Sequence, residues 1–190
     1  MNQGKLIIFS APSGAGKTTI VHHLLKAFPD KISFSISATT RKPRGEEKHE
    51  SDYYFISKEE FLHKVAKHDF VEFEEVYSGT FYGTLMSEIQ RIWDQGKTVI
   101  FDLDVEGGLR LKKKYGKKAL AIFVMPPSLD VLVERLSGRG TESPEKVKER
   151  IAKAKKELAY ADKFDVILKN YDLSEACKEA ENLLVSLLNS

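Results

Sequence analysis

The segment Ser10-Ala11-Pro12-Ser13-Gly14-Ala15-Gly16-Lys17-Thr18-Thr19 holds the strongest chemical signal in the chain. Gly14 and Gly16 let backbone N–H groups turn toward a common centre. A lysine and a hydroxyl follow at once. That order suits a polyphosphate. Amides and a helix N-terminus cradle the oxygens, Lys17 reaches the β- and γ-phosphates, and the Thr18 hydroxyl reaches Mg²⁺. The first glycine of the usual phosphate-loop pattern is Ala11 here. A glycine-rich turn that binds nothing is the plainer alternative. The context argues against it, because an apolar run, Leu6–Phe9, precedes the loop and an amphipathic spacing follows it. Asp102 ends a second apolar run, Thr98–Phe101, where a carboxylate can orient Mg²⁺ or its waters. Taken alone, a strand-end aspartate is more often a helix cap.

A second anion site is suggested by Ser37-Ala-Thr-Thr-Arg41-Lys-Pro-Arg44-Gly. Two arginines stand three residues apart across Pro43, which stiffens the turn. Two planar guanidinium forks suit a phosphate dianion better than lysines would. Tyr53 and Tyr82 supply phenol donors nearby, the second beside Gly83. Each tyrosine alone reads as an ordinary core or surface aromatic.

The elements that must position these groups alternate. Uninterrupted apolar runs at Leu6–Phe9, Thr98–Leu103, Ala119–Met125 and Asp165–Leu168 read as strands buried on both faces. Helical spacings follow them at Thr18–Phe28, Val105–Tyr115, Ser128–Ser137 and Leu173–Leu188. A further helix is expected over Pro144–Tyr160, with Ser143 as N-cap. This alternation predicts an α/β fold with a doubly wound, mostly parallel sheet flanked by helices. The stretch 35–94 differs. Its strand-like pieces, Asp52–Ile56 and Phe70–Tyr77, are polar and aromatic, and Lys58–Lys67 looks helical with Ser57 as cap. It reads as an α+β insertion into the core.

Composition bounds the function. Lys and Arg total 30 and Asp and Glu total 28, a net charge of +2, which argues against a dedicated nucleic-acid surface. The basic run Arg110–Lys118 reads as a helix end and a solvated turn. The lone Cys177 excludes an intramolecular disulfide and a cysteine-based zinc site. No apolar run approaches the roughly 20 residues of a membrane span, and the expected location is the cytosol.

Taken together, the pieces SAPSGAGKTT, SISATTRKPRGE, DYYF, FVEFEEVYSGTFYGT, FDLDVEGG and RLSGRGTES resemble the guanylate kinase family over essentially the whole chain. The resemblance implies a P-loop kinase core over about 1–34, 95–136 and 151–190, a GMP-binding insertion over about 35–94, and a short lid over about 137–150. It implies that ATP lies on Ala11, Pro12, Ser13, Gly14, Ala15, Gly16, Lys17, Thr18 and Thr19, with Asn170 near the adenine. It assigns Arg41, Arg44, Tyr53 and Tyr82 to the GMP phosphate, and Ser37, Glu72, Thr84 and Asp104 to the guanine. Carboxylates are apt there, since guanine presents N1–H and a 2-amino group as donors and adenine lacks both. Glu74 and Glu75 lie close to Glu72, in a segment one residue longer than the family spacing, so the guanine-facing glutamate stays open among them.

The activity so implied is transfer of the γ-phosphoryl group of ATP to GMP, with Mg²⁺ held by Thr18 and Asp102 directly or through water. Lys17, Arg41, Arg135, Arg139 and Arg150 would share the charge of an in-line transition state. No general base is required, because the GMP phosphate is itself ionised. Two other readings compete. A sugar-phosphate kinase of similar build lacks use for the guanine-facing carboxylates. A non-catalytic interaction module would tolerate loss of Lys17, Thr18, Arg135 and Arg139, and all four are present.

Overall fold

The computed structural model describes residues 4–77, 79–137 and 144–189. In chain order the strands are β1 (Leu6–Ser10), β2 (Ile32–Phe34), β3 (Ala38–Thr39), β4 (Tyr54–Phe55), β5 (Phe70–Tyr77), β6 (Thr80–Leu85), β7 (Thr98–Leu103), β8 (Ala119–Met125) and β9 (Val166–Lys169). The helices are α1 (Lys17–Ala27), α2 (Lys58–Ala66), α3 (Met86–Asp94), α4 (Val105–Tyr115), α5 (Leu129–Ser137), α6 (Pro144–Leu158) and α7 (Leu173–Asn189).

Five strands form one sheet in the order β2-β7-β1-β8-β9, and every pairing in it is parallel. The apolar runs explain why. Leu6 and Ile8 of β1 face one layer of helices while Ile7 and Phe9 face the other, so no polar alternation is possible. On one face Ile7, Phe9, Ile100, Ile122 and Val124 pack with Ile20 and Leu24 of α1 and Leu184 of α7. On the other, Leu6, Ile8, Val99 and Phe101 pack with Ile89, Ile92 and Trp93 of α3 and Leu111 of α4. The edge strand β2 is too short and too polar to be legible as a strand run. It is held by pairing Ile32 with Thr98 and Phe34 with Ile100.

A second sheet, β4-β3-β6-β5, is built from the insertion. Strands β3 and β4 pair in parallel, and the other pairings are antiparallel. Phe61 of α2 supports it from beneath, stacked on Phe70 at 4.3 Å and close to Phe81 at 5.4 Å. The Ser57 hydroxyl caps α2 by accepting the Glu60 N–H at 3.0 Å, as the sequence suggests. Among the described residues, no helix is long and apolar enough to cross a membrane.

Candidate active site

Parallel register brings the chemistry to one edge. Phe9 pairs with Asp102 and Ser10 with Leu103, so the loop after β1 and the residues after β7 open at the same level. In open parallel sheets this carboxyl edge is where ligands bind. The loop is shaped by Gly14 and Gly16, both left-handed at φ 88° and 89°. Gly16 has a second reason to be glycine, since a Cβ there would run into the Asn170 amide nitrogen. Asn170 is 5% exposed, and its side chain donates to the Ala15 carbonyl at 2.7 Å. The residue that follows β9 therefore braces the phosphate loop itself.

Lys17 opens α1 and forms an ion pair with Asp102, and the Thr18 hydroxyl donates to Asp102 Oδ2 at 2.7 Å. Burial pulls the Lys17 ammonium down to about 8, while the carboxylates of Asp104 and Glu157 pull it upward. Asp102 is not the helix cap that its position first suggests. Asp104 takes that task, its Oδ1 accepting the Gly107 N–H at the start of α4 at 2.7 Å. This leaves Asp102 to the lysine and the threonine. The Ser10 hydroxyl donates to the Asp104 carbonyl at 3.1 Å, tying the start of the loop to the end of β7.

Across the cleft, β5 and β6 pair Glu72 with Thr84 and Glu74 with Tyr82. The Thr84 hydroxyl donates to Glu72 Oε1 at 2.9 Å. Burial pushes the Glu72 carboxyl up, and Glu74 is raised by burial and by the nearby Asp104. Glu72, Glu74 and Asp104 thus converge. Glu75 does not join them, and instead accepts the Gly79 N–H at 2.6 Å at the end of the hairpin. The pairing shifts register between Phe70 and Glu72 and again between Glu75 and Tyr77.

Arg41 lies beside two of the predicted phenols. Its Nε donates to the Tyr82 hydroxyl at 3.0 Å, and its guanidinium sits 4.9 Å from the Tyr53 ring centre. A residue that sequence reasoning passed over completes this cluster. Glu47 accepts from both terminal nitrogens of Arg41, at 2.6 and 2.8 Å, and from the Arg44 N–H at 2.8 Å. Those bonds, from Arg41 first, hold the Glu47 carboxyl at about 2. Its signal was an acidic residue three positions after Arg44, in a turn too polar to choose among Glu46, Glu47 and Glu50. The Arg44 side chain is exposed on the same turn, and Ser37 is half-buried just before β3.

The far side of the cleft is formed by α6. Glu157 is 9% exposed there, and Arg150 is half-buried about two turns earlier. Burial pushes Glu157 up to about 7, opposed by Lys153 and Lys17. Arg135 belongs to α5 but its side chain is outside the described residues, as are Arg139 and the expected cap Ser143.

Comparison with known proteins gives one consistent answer. The family model described as guanylate kinase matches residues 3–187. A guanylate kinase of Bacteroides thetaiotaomicron is 49% identical over 98% of this chain and 91% of that protein. The guanylate kinase of Salinibacter ruber is 44% identical over the full length of both. Among solved structures, guanylate kinase from Anaplasma phagocytophilum superposes with a TM-score of 0.71 at 27% identity, covering 98% of this chain and 87% of that one.

Proposed function

The chain belongs to the guanylate kinase family, and on that premise we propose how its residues transfer the γ-phosphoryl group of ATP to GMP, giving ADP and GDP. The observation that carries the assignment is the end of β7. Two residues apart, Asp102 turns to the phosphate loop and Asp104 to the carboxylates of the second sheet. One short segment therefore joins a triphosphate site to a base site.

Lys17 and the loop of residues 11–19, through the backbone N–H groups of its residues other than Pro12, hold the ATP phosphates, and Asn170 keeps the loop in shape. The Thr18 hydroxyl and the Asp102 carboxylate fit Mg²⁺, a hard cation that takes a few oxygen ligands beside substrate phosphates and water. Bound there, Mg²⁺ supplies charge neutralisation of the phosphate oxygens. Arg41, Arg44, Tyr53 and Tyr82 take the GMP phosphate. Glu72, Thr84, Asp104 and Ser37 take the guanine, the acceptors meeting N1–H and the 2-amino group. AMP brings neither donor, and leaves buried carboxylates unpaired. Arg135, Arg139 and Arg150 complete the neutralisation of the transferring group. The segment 35–94 acts as the GMP-binding insertion and 137–150 as the lid, and their closure excludes water from the reaction. The reaction takes place in the cytosol.

A coupled ADP-release assay with MgATP and each of GMP, AMP, CMP and UMP tests this reading. Turnover confined to GMP is expected. Turnover with another monophosphate would overturn the roles of Glu72 and Asp104.

A further inference from the structure

Glu88 is 2% exposed, on the first turn of α3, and lies outside every contact assigned above. A buried carboxylate is costly unless its oxygens are fully engaged. Here four donors engage them. The Ile36 N–H reaches Oε1 at 3.1 Å and Arg91 Nη2 reaches the same oxygen at 2.8 Å. The Tyr54 hydroxyl reaches Oε2 at 2.9 Å and Arg91 Nε reaches it at 2.8 Å. Burial pushes the carboxyl up, but these bonds outweigh it and leave Glu88 below the usual glutamate value.

The partners come from two different bodies. Helix α3 is fixed to the main sheet, where Ile89, Ile92 and Trp93 are buried with Leu6, Ile8 and Val99. Ile36 and Tyr54 belong to the insertion. They lie side by side there, since the Tyr54 N–H donates to the Ser37 carbonyl at 2.9 Å. Each is also one residue from a group assigned to GMP: Ile36 precedes Ser37, and Tyr54 follows Tyr53. Along an extended segment successive side chains point to opposite faces. Anchoring Tyr54 to α3 on one face therefore sets Tyr53 on the other, beside Arg41.

We propose that Glu88 is a positioning residue for the GMP site, holding Ile36 and Tyr54 to the core helix α3 and through them setting Ser37 and Tyr53. The proposal rests on the assignment of Ser37 and Tyr53 to GMP made above. Glu88 touches neither substrate. Its effect is on the fit of GMP and not on that of ATP, because its partners are Ile36, Tyr54 and Arg91 and none belongs to the phosphate loop.

The test is steady-state kinetics on the full chain, with thermal melting alongside. Glu88→Gln keeps size and shape but converts one acceptor into a donor facing Tyr54 and Arg91. The KM for GMP is expected to rise about tenfold, and the KM for ATP to change less than about twofold. Tyr54→Phe removes one donor without disturbing the ion pair, and is expected to raise the KM for GMP in the same direction. The double variant should show less than the product of the two effects, because both break one linkage. Tyr53→Phe serves as the control for the site itself. If it raises the KM for GMP while Glu88→Gln and Tyr54→Phe leave it unchanged, the proposal is overturned and the GMP site stands. A silent Tyr53→Phe overturns the site assignment and the proposal with it. A Glu88→Gln protein that raises both KM values together, or fails to fold while Tyr54→Phe is silent, shows a purely structural role and also overturns it.

Discussion

The Thr84 hydroxyl donates to Glu72 Oε1 at 2.9 Å, across a cross-strand pair in the second sheet. Thr84 is fully buried, and burial pushes the Glu72 carboxyl upward. The bond fixes one carboxylate oxygen of the side chain to which the proposed reading gives the guanine. Glu72→Ala is expected to raise the KM for GMP by about a hundredfold, the range for losing charged hydrogen bonds to a base. Glu75→Ala is expected to leave it within about twofold, since Glu75 only holds the hairpin end. Parallel kinetic measurements on the two variants decide which glutamate reads the base.

Lys17 and Thr18 share a single carboxylate, Asp102. Lys17→Ala should lower kcat by about two to three orders of magnitude, as expected for a preorganised cation at a developing charge. Asp102→Asn should instead shift the Mg²⁺ requirement, raising the half-saturating concentration by about tenfold. Mg²⁺ titrations at fixed ATP separate the two effects. An unchanged Mg²⁺ requirement in Asp102→Asn would remove Asp102 from the metal site.

Gly16→Ala meets two obstacles, a left-handed backbone at φ 89° and the Asn170 side chain. Together they should cost about 1–3 kcal/mol of stability and weaken ATP binding at least tenfold. Asn170→Ala removes the brace on Ala15 without the backbone conflict. Its melting temperature should fall less and its ATP affinity should still weaken, as nucleotide titration would show.

Glu157 makes the stability depend on pH. Burial raises its carboxyl to about 7 in the native state, against an ordinary value of 4.5. The folded chain thus holds this proton more tightly than the unfolded one. The favourable contribution is full below pH 4.5 and is lost as pH rises through 7. Glu157→Gln cannot lose that proton. Melting of the variant against the parent protein should show a relative gain at pH 8 over pH 5 of about 1–3 kcal/mol. Equal differences at both pH values would contradict the buried, raised carboxyl.

The main sheet was legible because β1, β7 and β8 are buried on both faces and therefore read as unbroken apolar runs. The edge strand β2 was not, since three residues beside a turn carry no period. Nor was α3 separable from the insertion: its burial of Ile89, Ile92 and Trp93 depends on where the chain returns to the core. In the site, the phosphate loop could be read from local spacing alone. Asp102 and Asp104 both stood out, but only the structure distributes their tasks, because capping depends on which oxygen faces the first turn of α4. Glu47 and Glu88 went unread for different reasons. Glu47 is one of several acidic residues in its turn, and Glu88 acquires meaning from Ile36 and Tyr54, donors remote in sequence.

Strands β2 and β7 are adjacent and parallel, and α3 lies between them in the chain and packs on β7 and β1. A strand, a helix and a neighbouring parallel strand already make a complete crossover unit. The second sheet is spliced into the first half of that connection, between Phe34 and Met86, and contributes no strand to the main sheet. On the proposed reading, the GMP contacts other than Asp104 all lie in this one connection, and Asp104 comes from the core. Substitutions within that connection can therefore alter the proposed base contacts without touching a strand of the main sheet.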